Sequence, residues 1–161
     1  THKCFWDPVI AGMIFDRPLR YMAKKELFAN DYAARFIGSL GAFPLDRGAG
    51  DRAALQTALT ILERGEVLLM FPEGHRQTDD AVHEFLPGVG MIALRSGAPV
   101  IPLALDGTQY MLRDGRPGFR QIRGLVGPPV DLGDSTTRNS KAYREAAQRM
   151  HDAVAGLYAR L

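Results

Sequence analysis

The sequence predicts an α/β fold in which a mixed, largely parallel sheet is flanked by helices. Apolar runs alternate with helical patterns along the chain, as expected when strands and helices follow one another around one sheet. Residues 66–71 are apolar on both faces, which is typical of a central strand in a parallel sheet. The 161 residues are enough to bury a core and contain no internal repeat, so we expect residues 1–161 to form a single domain.

Composition excludes several classes of protein. Hydrophobic residues make up 46% of the chain and charged residues 24%, which is an ordinary globular mixture. The single cysteine excludes an intrachain disulfide and fits a reducing compartment. The net charge of +2 does not predict a nucleic-acid-binding protein, since such proteins usually carry a concentrated basic face. No apolar run approaches the roughly 18 residues that span a bilayer, although work at a membrane surface is not excluded.

Three helices and three strands are expected in the first half of the chain. The helices are expected at residues 7–15, 25–40 and 49–64, and the strands at residues 19–23, 41–45 and 66–71. Asp7 can cap the first helix, and Pro8 fits its first turn. In the third helix, Asp51 is a candidate cap and Gly65 ends the helix. One face of that helix carries Leu55, Leu59 and Leu62.

The second half of the chain is expected to add two strands and two helices. The strands are expected at residues 99–105 and 121–126, and the helices at residues 88–96 and from Ser140 onward. Residues 106–120 are rich in glycine, proline and arginine and are predicted to form a surface loop. The last helix carries an apolar stripe that is expected to pack on the domain. The stripe consists of Tyr143, Ala147, Met150, Val154, Leu157 and Leu161.

His2 and Asp7 are the first candidates for catalysis. If the chain turns between them, the Asp7 carboxylate can accept a hydrogen bond from the imidazole, fix its tautomer and stabilise the imidazolium. His2 would then be a general base toward a hydroxyl. The residues alone also allow a surface histidine followed by a helix-capping aspartate.

Two segments carry candidate binding residues. Arg47 lies in a glycine-flanked turn, and its planar, permanently charged side chain suits a phosphate. The segment Phe-Pro-Glu-Gly-His-Arg places Glu73, Gly74 and Arg76 directly after a buried strand, where ligand crevices form in open α/β sheets. The alternatives are a solvated loop arginine paired with Asp46, and a capped turn with a salt bridge.

Other side chains offer weaker alternatives. Cys4 lies two residues from His2 and could pair with it as a nucleophile, whereas a small buried thiol is the structural alternative. His75, His83 and His151 lack the spacing of a zinc motif such as H-E-x-x-H, so no metal is expected. His151 lies next to the apolar stripe and is expected at the surface or at the boundary of the core.

Taken together, these motifs resemble the glycerolipid acyltransferases, a family that includes 1-acylglycerol-3-phosphate acyltransferase. The family has an H-x-x-x-x-D block, a lysine-containing block after a strand, a G-x-x-x-x-x-R block, an F-P-E-G-T-R block and a later apolar V-I-P block. These resemble residues 2–7, 23–28, 41–47, 71–76 and 100–103. The order and spacing of the blocks cover nearly the whole chain and favour the functional interpretation of each motif. His75 departs from the family, which usually has threonine there, and this puts the acceptor preference in question.

The resemblance implies an O-acyltransferase on the family's glycerophosphate acyltransferase-like fold. His2 would remove the proton from a lipid hydroxyl, and Asp7 would orient and charge-balance His2. The hydroxyl would attack the thioester of an acyl-CoA or an acyl-carrier protein without a covalent enzyme intermediate. The family's phosphate pocket corresponds to Lys24, Arg47 and Arg76. Glu73 would contact the acceptor or hold these cations.

We also infer, from the turn itself, that the backbone near Gly74 could donate to the developing oxyanion. Further expectations follow from the resemblance. The partners would be a lysophospholipid acceptor such as 1-acylglycerol-3-phosphate, an acyl thioester donor and a membrane surface, with no nucleic acid. No cofactor is expected beyond the acyl-CoA or acyl-carrier protein that acts as co-substrate. The chain would work at the cytoplasmic face of a membrane, peripherally or anchored through a segment outside residues 1–161, which we expect to lack the family's N-terminal strand and membrane-associating segment.

Two other functions stay open at this point. One is a non-catalytic lipid-binding domain on the same fold, and the other is a thioesterase or lipid hydrolase that uses water as the acceptor. A basic cluster has a similar ambiguity, since it could be a solvated loop or could contact anionic lipid headgroups or CoA phosphates. The cluster consists of Arg113, Arg116, Arg120 and Arg123.

Overall fold

The computed structural model describes residues 6–45, 51–74, 81–110, 112–113, 116–117, 121–133 and 136–161. Their contacts divide the chain into two units. Pro8–Met70 form one unit, and Phe71–Leu161 together with Thr1–Asp7 form the other. We refer to these as the N-terminal unit and the C-terminal unit and describe each by itself.

A three-stranded parallel sheet organises the N-terminal unit. Its strands are β1 (Leu19–Lys24), β2 (Ala42–Leu45) and β3 (Val67–Leu69), in the order β2-β1-β3. Both pairings are parallel, with Tyr21 opposite Ala42 on one side and Leu69 on the other. The prediction that residues 66–71 contain a parallel strand is confirmed. The prediction that this strand is the central one is wrong within this sheet, where β3 lies at the edge. The longer β1 is the middle strand because it pairs along both of its edges.

The helices of this unit are α1 (Asp7–Ile14), which begins at the junction of the two units, α2 (Asp31–Ser39) and α3 (Asp51–Glu63). The prediction of one helix over residues 25–40 is wrong. A 3₁₀ turn at Lys25–Phe28 is separated from α2 because the Asn30 side chain accepts hydrogen bonds from the backbone N–H groups of Tyr32 and Ala33, at 2.9 and 3.2 Å. A helix therefore begins where the sequence pattern suggested that one continued.

The helix α3 confirms the predicted helix at residues 49–64, within the residues that the structure describes. Its buried residues are Ala58, Leu59 and Ile61, so the predicted face is correct at Leu59, whereas Leu55 and Leu62 are half-buried. Gly65 follows the helix with φ +71°, and its N–H donates to Leu62 O at 3.0 Å. This left-handed turn ends the helix as predicted.

One glycine of the N-terminal unit is required by space as well as by conformation. Gly41, just before β2, has φ +90°, and a Cβ placed there would lie 2.0 Å from Leu19 O. Only glycine allows the chain to turn this close to the start of β1. The turn therefore sets where β2 enters the sheet.

The C-terminal unit combines two helices with antiparallel strand pairs. Its helices are α4 (Pro87–Ser96) and α5 (Ser140–Tyr158), and its strands are β4 (Leu103–Asp106), β5 (Leu112–Arg113), β6 (Arg116–Pro117) and β7 (Arg123–Val126). The pairs are β4 with β7 and β5 with β6. The predicted strand at residues 99–105 begins only at Leu103, because Pro99 and Pro102 have no N–H to donate to a ladder. The predicted loop at residues 106–120 contains a 3₁₀ turn at Thr108–Tyr110 and the short β5–β6 pair.

The core of this unit lies between α4 and α5. Its buried members are Phe85, Ala93, Leu94, Ala146, Ala147, Met150 and Val154. The predicted stripe on the last helix is therefore confirmed at its central positions. The two helices approach closely at Gly90, where a Cβ would lie 2.1 Å from Tyr143 O. Within the described residues, no helix combines the length and apolar composition needed to cross a membrane.

Candidate active site

The turn at residues 71–74 is the described part of the predicted Phe-Pro-Glu-Gly-His-Arg motif. Glu73 is 2% exposed, and its Oε1 accepts a hydrogen bond from the backbone N–H of His83 at 3.2 Å. A buried carboxylate is costly unless it is hydrogen-bonded, so this contact stabilises Glu73 as well as the segment that contains His83. The structure thus shows that Glu73 holds a neighbouring stretch of backbone.

Gly74 has the left-handed conformation that favours glycine. Its φ is +76°, and a Cβ would lie 2.6 Å from Leu86 Cδ1. Its N–H donates to Phe71 O at 3.2 Å, and the Leu86 N–H donates to Pro72 O at 2.9 Å. The turn is therefore packed closely against the segment leading into α4. Because the N–H of Gly74 is already used inside the turn, an oxyanion donor would have to come from backbone near Gly74 rather than from Gly74 itself.

Asp7 lies at the first residue of α1 and is completely buried. A carboxylate near a helix N-terminus is stabilised by the helix dipole, which helps to offset the cost of its burial. A buried, oriented carboxyl is what a histidine–aspartate dyad requires of its acid. Its position is also compatible with the helix-capping alternative. His2, the predicted partner, lies outside the described residues.

Lys24 is the last residue of β1 and is opposite Leu45, the last residue of β2. The two strands are parallel, so their carboxyl ends meet at the same edge of the sheet. The backbone therefore places Lys24 next to the start of the segment that leads to Arg47. The Lys24 side chain, Arg47 and Arg76 lie outside the described residues, so the phosphate pocket stays a prediction.

The basic cluster at residues 113–123 is only partly described. Arg113 and Arg116 are opposite each other on β5 and β6, and Arg120 lies outside the described residues. Arg123 on β7 has its Nη2 3.4 Å from Asp106 Oδ2. This ion pair gives Arg123 a structural role that the sequence did not reveal.

Sequence reasoning missed Asp106, which lies at the end of β4. Its Oδ1 accepts hydrogen bonds from the Tyr158 hydroxyl at 3.1 Å and from Gln109 Nε2 at 3.4 Å. Burial favours a raised pKa for Asp106, but hydrogen bonds from Gln109, Tyr158, the Gly107 backbone and Arg123 together lower that pKa. The Asp-Gly pair after an apolar run indicates a strand end at Asp106. It could not reveal the hydrogen-bond partners of Asp106, because Arg123 and Tyr158 are distant in the sequence.

The described residues cover the other predicted alternatives only in part. Within them, no group of three histidine, cysteine, aspartate or glutamate side chains is arranged to hold a metal ion. Cys4 and His75 lie outside the described residues. His151, expected at the surface or boundary, has a side chain that is 23% exposed and lies against the core residue Phe85.

Comparison with known proteins now decides the family. The family model described as Acyltransferase matches residues 1–106 of the 161. The chain belongs to this acyltransferase family. All of the predicted site residues of this acyltransferase fall within the matched region, and the resemblance inferred from the motifs is confirmed.

Individual relatives agree with the family assignment. The acyltransferase is 31% identical over 144 residues to the 1-acyl-sn-glycerol-3-phosphate acyltransferase of Bacillus subtilis (strain 168), covering 88% of this chain and 69% of the relative. It is 32% identical over 118 residues to the lyso-ornithine lipid O-acyltransferase of Pseudomonas aeruginosa, covering 73% of this chain and 43% of the relative.

A solved structure confirms the predicted fold class. The crystal structure of the 1-acyl-sn-glycerophosphate (LPA) acyltransferase PlsC from Thermotoga maritima matches 100% of this chain and 65% of its own, with a TM-score of 0.74 and 27% identity. The chain therefore has the PlsC fold, with a parallel sheet flanked by helices. The matched regions cover 69% of the Bacillus subtilis relative, 43% of the Pseudomonas aeruginosa relative and 65% of PlsC, so the chain spans only part of the length of each.

Proposed function

We propose that this acyltransferase moves a fatty acyl group from an acyl thioester to the hydroxyl of 1-acylglycerol-3-phosphate. The similarity to PlsC of Thermotoga maritima carries the proposal, since it extends over the whole chain and that protein is an LPA acyltransferase. The Bacillus subtilis relative, also a 1-acyl-sn-glycerol-3-phosphate acyltransferase, supports the same acceptor. The buried Asp7 and Glu73 support a preorganised site.

In the proposed reaction, His2 is the general base and Asp7 its orienting acid. His2 takes the hydroxyl proton while the hydroxyl oxygen attacks the thioester carbon. The carbon–sulfur bond then breaks, and the departing sulfur receives the proton from the His2 imidazolium. The products are an ester and a free thiol, with no acyl group left on the protein. Asp7 stabilises the imidazolium while it exists.

Lys24, Arg47 and Arg76 are proposed to bind the phosphate of the acceptor. Cations of this kind bind a phosphate dianion strongly when water is excluded, and arginine adds paired hydrogen bonds. Glu73 holds the turn that precedes Arg76, through its bond to His83. The donor is proposed to be acyl-CoA or acyl-carrier protein, which share the same thioester chemistry.

The acceptor is a lipid, so we propose that the protein works at the cytoplasmic face of a membrane, peripherally or through an anchor outside residues 1–161. One described surface supports contact with lipid. Tyr32 and Phe36 on α2, and Leu40 directly after it, follow one another at four-residue spacing and are 87%, 61% and 38% exposed. Aromatic side chains of this kind favour the interface between water and lipid.

The dyad is tested with His2→Ala, and Cys4→Ala is the matched control two positions away. Rates of thiol release are measured with 1-acylglycerol-3-phosphate and either acyl-CoA or acyl-carrier protein. We expect His2→Ala to lower kcat by at least about 100-fold, the usual contribution of a general base, and Cys4→Ala to retain activity. Full activity in His2→Ala would contradict the dyad. Loss of activity in Cys4→Ala would favour the nucleophile alternative.

Two further arms of the same assay separate the other functions. Thiol release without any acceptor would indicate a thioesterase, and vesicle binding without turnover would indicate a lipid-binding domain. The similarity to the lyso-ornithine lipid O-acyltransferase of Pseudomonas aeruginosa suggests lyso-ornithine lipid as a second candidate acceptor. Competition between the two lysolipids at equal concentration shows which one has the larger kcat/KM.

A further inference from the structure

The segment at residues 82–86 lies directly against the turn of the Phe-Pro-Glu-Gly-His-Arg motif. Its contacts with this turn come from both of its ends. The His83 N–H donates to Glu73 Oε1, and the Leu86 N–H donates to Pro72 O. The Leu86 side chain also occupies the space beside Gly74. The position of this segment and the position of the turn therefore depend on each other.

His151 on α5 contacts the same segment from the other side. Its Nε2 lies 3.4 Å from Val82 O, one residue before the N–H that bonds Glu73. Its ring meets the Phe85 ring edge-on, with centroids 5.4 Å apart and planes at 81°. The histidine thus adds one directional hydrogen bond to a segment that Phe85 already anchors in the core.

The surroundings of the ring determine which nitrogen carries a proton. A carbonyl oxygen only accepts, so the contact with Val82 requires a proton on Nε2. On the other nitrogen, Nδ1 lies 3.1 Å from Asp152 Oδ1 and 3.4 Å from Gln148 Nε2. Nδ1 can therefore accept from Gln148 when the ring is neutral and donate to Asp152 when it is charged.

The bond to Val82 is compatible with both charge states of the ring. Nε2 carries its proton in the neutral tautomer just described and in the imidazolium. In the imidazolium, Nδ1–H also donates to Asp152, and this hydrogen bond, followed by that from Gln148, lowers the pKa of Asp152. The contact with Val82 thus requires a proton on Nε2, and a neutral ring protonated on Nδ1 alone would lose it.

We propose that His151 is a positioning residue for the acceptor-binding turn. By holding Val82, it fixes the His83 N–H on Glu73 and so fixes the turn that presents the following residues of the motif. The inference rests on the proposed function, in which this motif binds the acceptor phosphate. His151 lies beyond residues 1–106, the part of the chain that the family model matches.

The test compares two variants of His151 with a control on the same helix. His151→Ala removes the bond to Val82, whereas His151→Gln keeps an amide N–H close to the position of Nε2. Tyr158→Phe is the control, since it removes a hydrogen bond of 3.1 Å between α5 and Asp106 and leaves residues 82–86 untouched. Initial rates are measured against acceptor concentration at saturating donor, and against donor concentration at saturating acceptor.

We expect His151→Ala to raise the KM for 1-acylglycerol-3-phosphate by about 10-fold, since small misplacements of a positioned group are costly. The KM for the donor stays unchanged, His151→Gln restores the acceptor KM to within about 3-fold, and Tyr158→Phe changes neither value. An unchanged acceptor KM in His151→Ala would overturn the proposal. So would an equal rise in both KM values, or a failure of glutamine to rescue.

Amide hydrogen exchange at His83 tests the positioning role of His151 independently of the proposed acyl transfer. We expect His151→Ala to accelerate exchange of this amide by about 10-fold, and Tyr158→Phe to leave it unchanged. If the wild-type chain shows no acyl transfer, the proposed function fails, and the exchange rate still decides whether His151 holds the Glu73 contact. Equal exchange in His151→Ala and the wild type would overturn the inference.

Discussion

At the scale of single residues, the motif turn gives the Glu73 carboxylate a structural role. Glu73 is buried, and its partner is a backbone N–H ten positions later in the chain. The sequence predicted Glu73 as a binding residue because of the motif around it. It could not predict the contact with His83, because nothing in the local pattern links two residues that are ten positions apart.

Two substitutions of Glu73 distinguish the structural role of its hydrogen bond from the role of its negative charge. Glu73→Ala leaves the His83 N–H without its acceptor, so we expect the free energy of unfolding to fall by about 1–3 kcal/mol. Glu73→Gln keeps an oxygen acceptor and should cost less. Urea unfolding measures both variants.

The acceptor KM then shows whether the charge of Glu73 matters as well. If Glu73 also holds the cations of the phosphate pocket, Glu73→Gln raises the acceptor KM although the protein stays folded. Equal stability of the alanine and glutamine variants would contradict the hydrogen bond to His83. An unchanged KM in a stable Glu73→Gln would show that the carboxylate acts through the backbone alone.

At the scale of elements, Asp106 joins three parts of the C-terminal unit. It ends β4, accepts from Tyr158 at the end of α5 and pairs with Arg123 on β7. The element pattern predicted each of these segments from its own periodicity, but not the side chain that joins them. Such contacts are separated in the sequence by 17 and 52 positions, which is beyond any local signal.

The lowered pKa of Asp106 gives this junction a defined pH dependence. The carboxyl binds protons less readily in the folded state than in the unfolded state, whose pKa is about 3.9. Its contribution to stability is therefore complete above that value and is lost as the pH falls through the lower folded-state pKa. We expect the wild type to lose more stability than Asp106→Asn between about pH 5 and pH 3.

Urea unfolding at several pH values tests this expectation. At pH 7, Asp106→Asn should cost about 1–2 kcal/mol, because the hydrogen bonds to a charged acceptor are weakened. Tyr158→Phe is the matched variant, and the double variant should cost less than the sum of the two single changes. Parallel pH profiles for the wild type and Asp106→Asn would show that this carboxyl does not contribute as described.

At the scale of the whole molecule, the alternation of apolar runs and helical patterns was enough to predict the α/β class. The same pattern could not reveal the break before α2, because it depends on the Asn30 side chain capping a new helix. Nor could it order the strands, since pairing is decided by contacts distant in the sequence. The ordered motifs predicted the family, which the match over residues 1–106 confirms.

The sequence predicts a set of site residues, but it could not predict the contacts that the described ones make. The motifs identified Asp7 and Glu73, and the structure adds that both are buried. His151 was predicted at the surface or at the boundary of the core, and it lies 69 positions from the carbonyl it contacts. Positioning residues of this kind are invisible to sequence patterns, because their partners are set by how helices pack.

Transfer of an acyl group to 1-acylglycerol-3-phosphate is tested by quantifying the lipid product. An isotope-labelled acyl thioester and 1-acylglycerol-3-phosphate are incubated with the wild type and with His2→Ala, and the diacyl product is quantified by mass spectrometry. We predict one labelled diacylglycerol-3-phosphate for each thiol released by the wild type, and a loss of at least about 100-fold in His2→Ala. Labelled free fatty acid in place of the diacyl lipid would show hydrolysis instead of acyl transfer, and equal product from both proteins would show that His2 is not the general base.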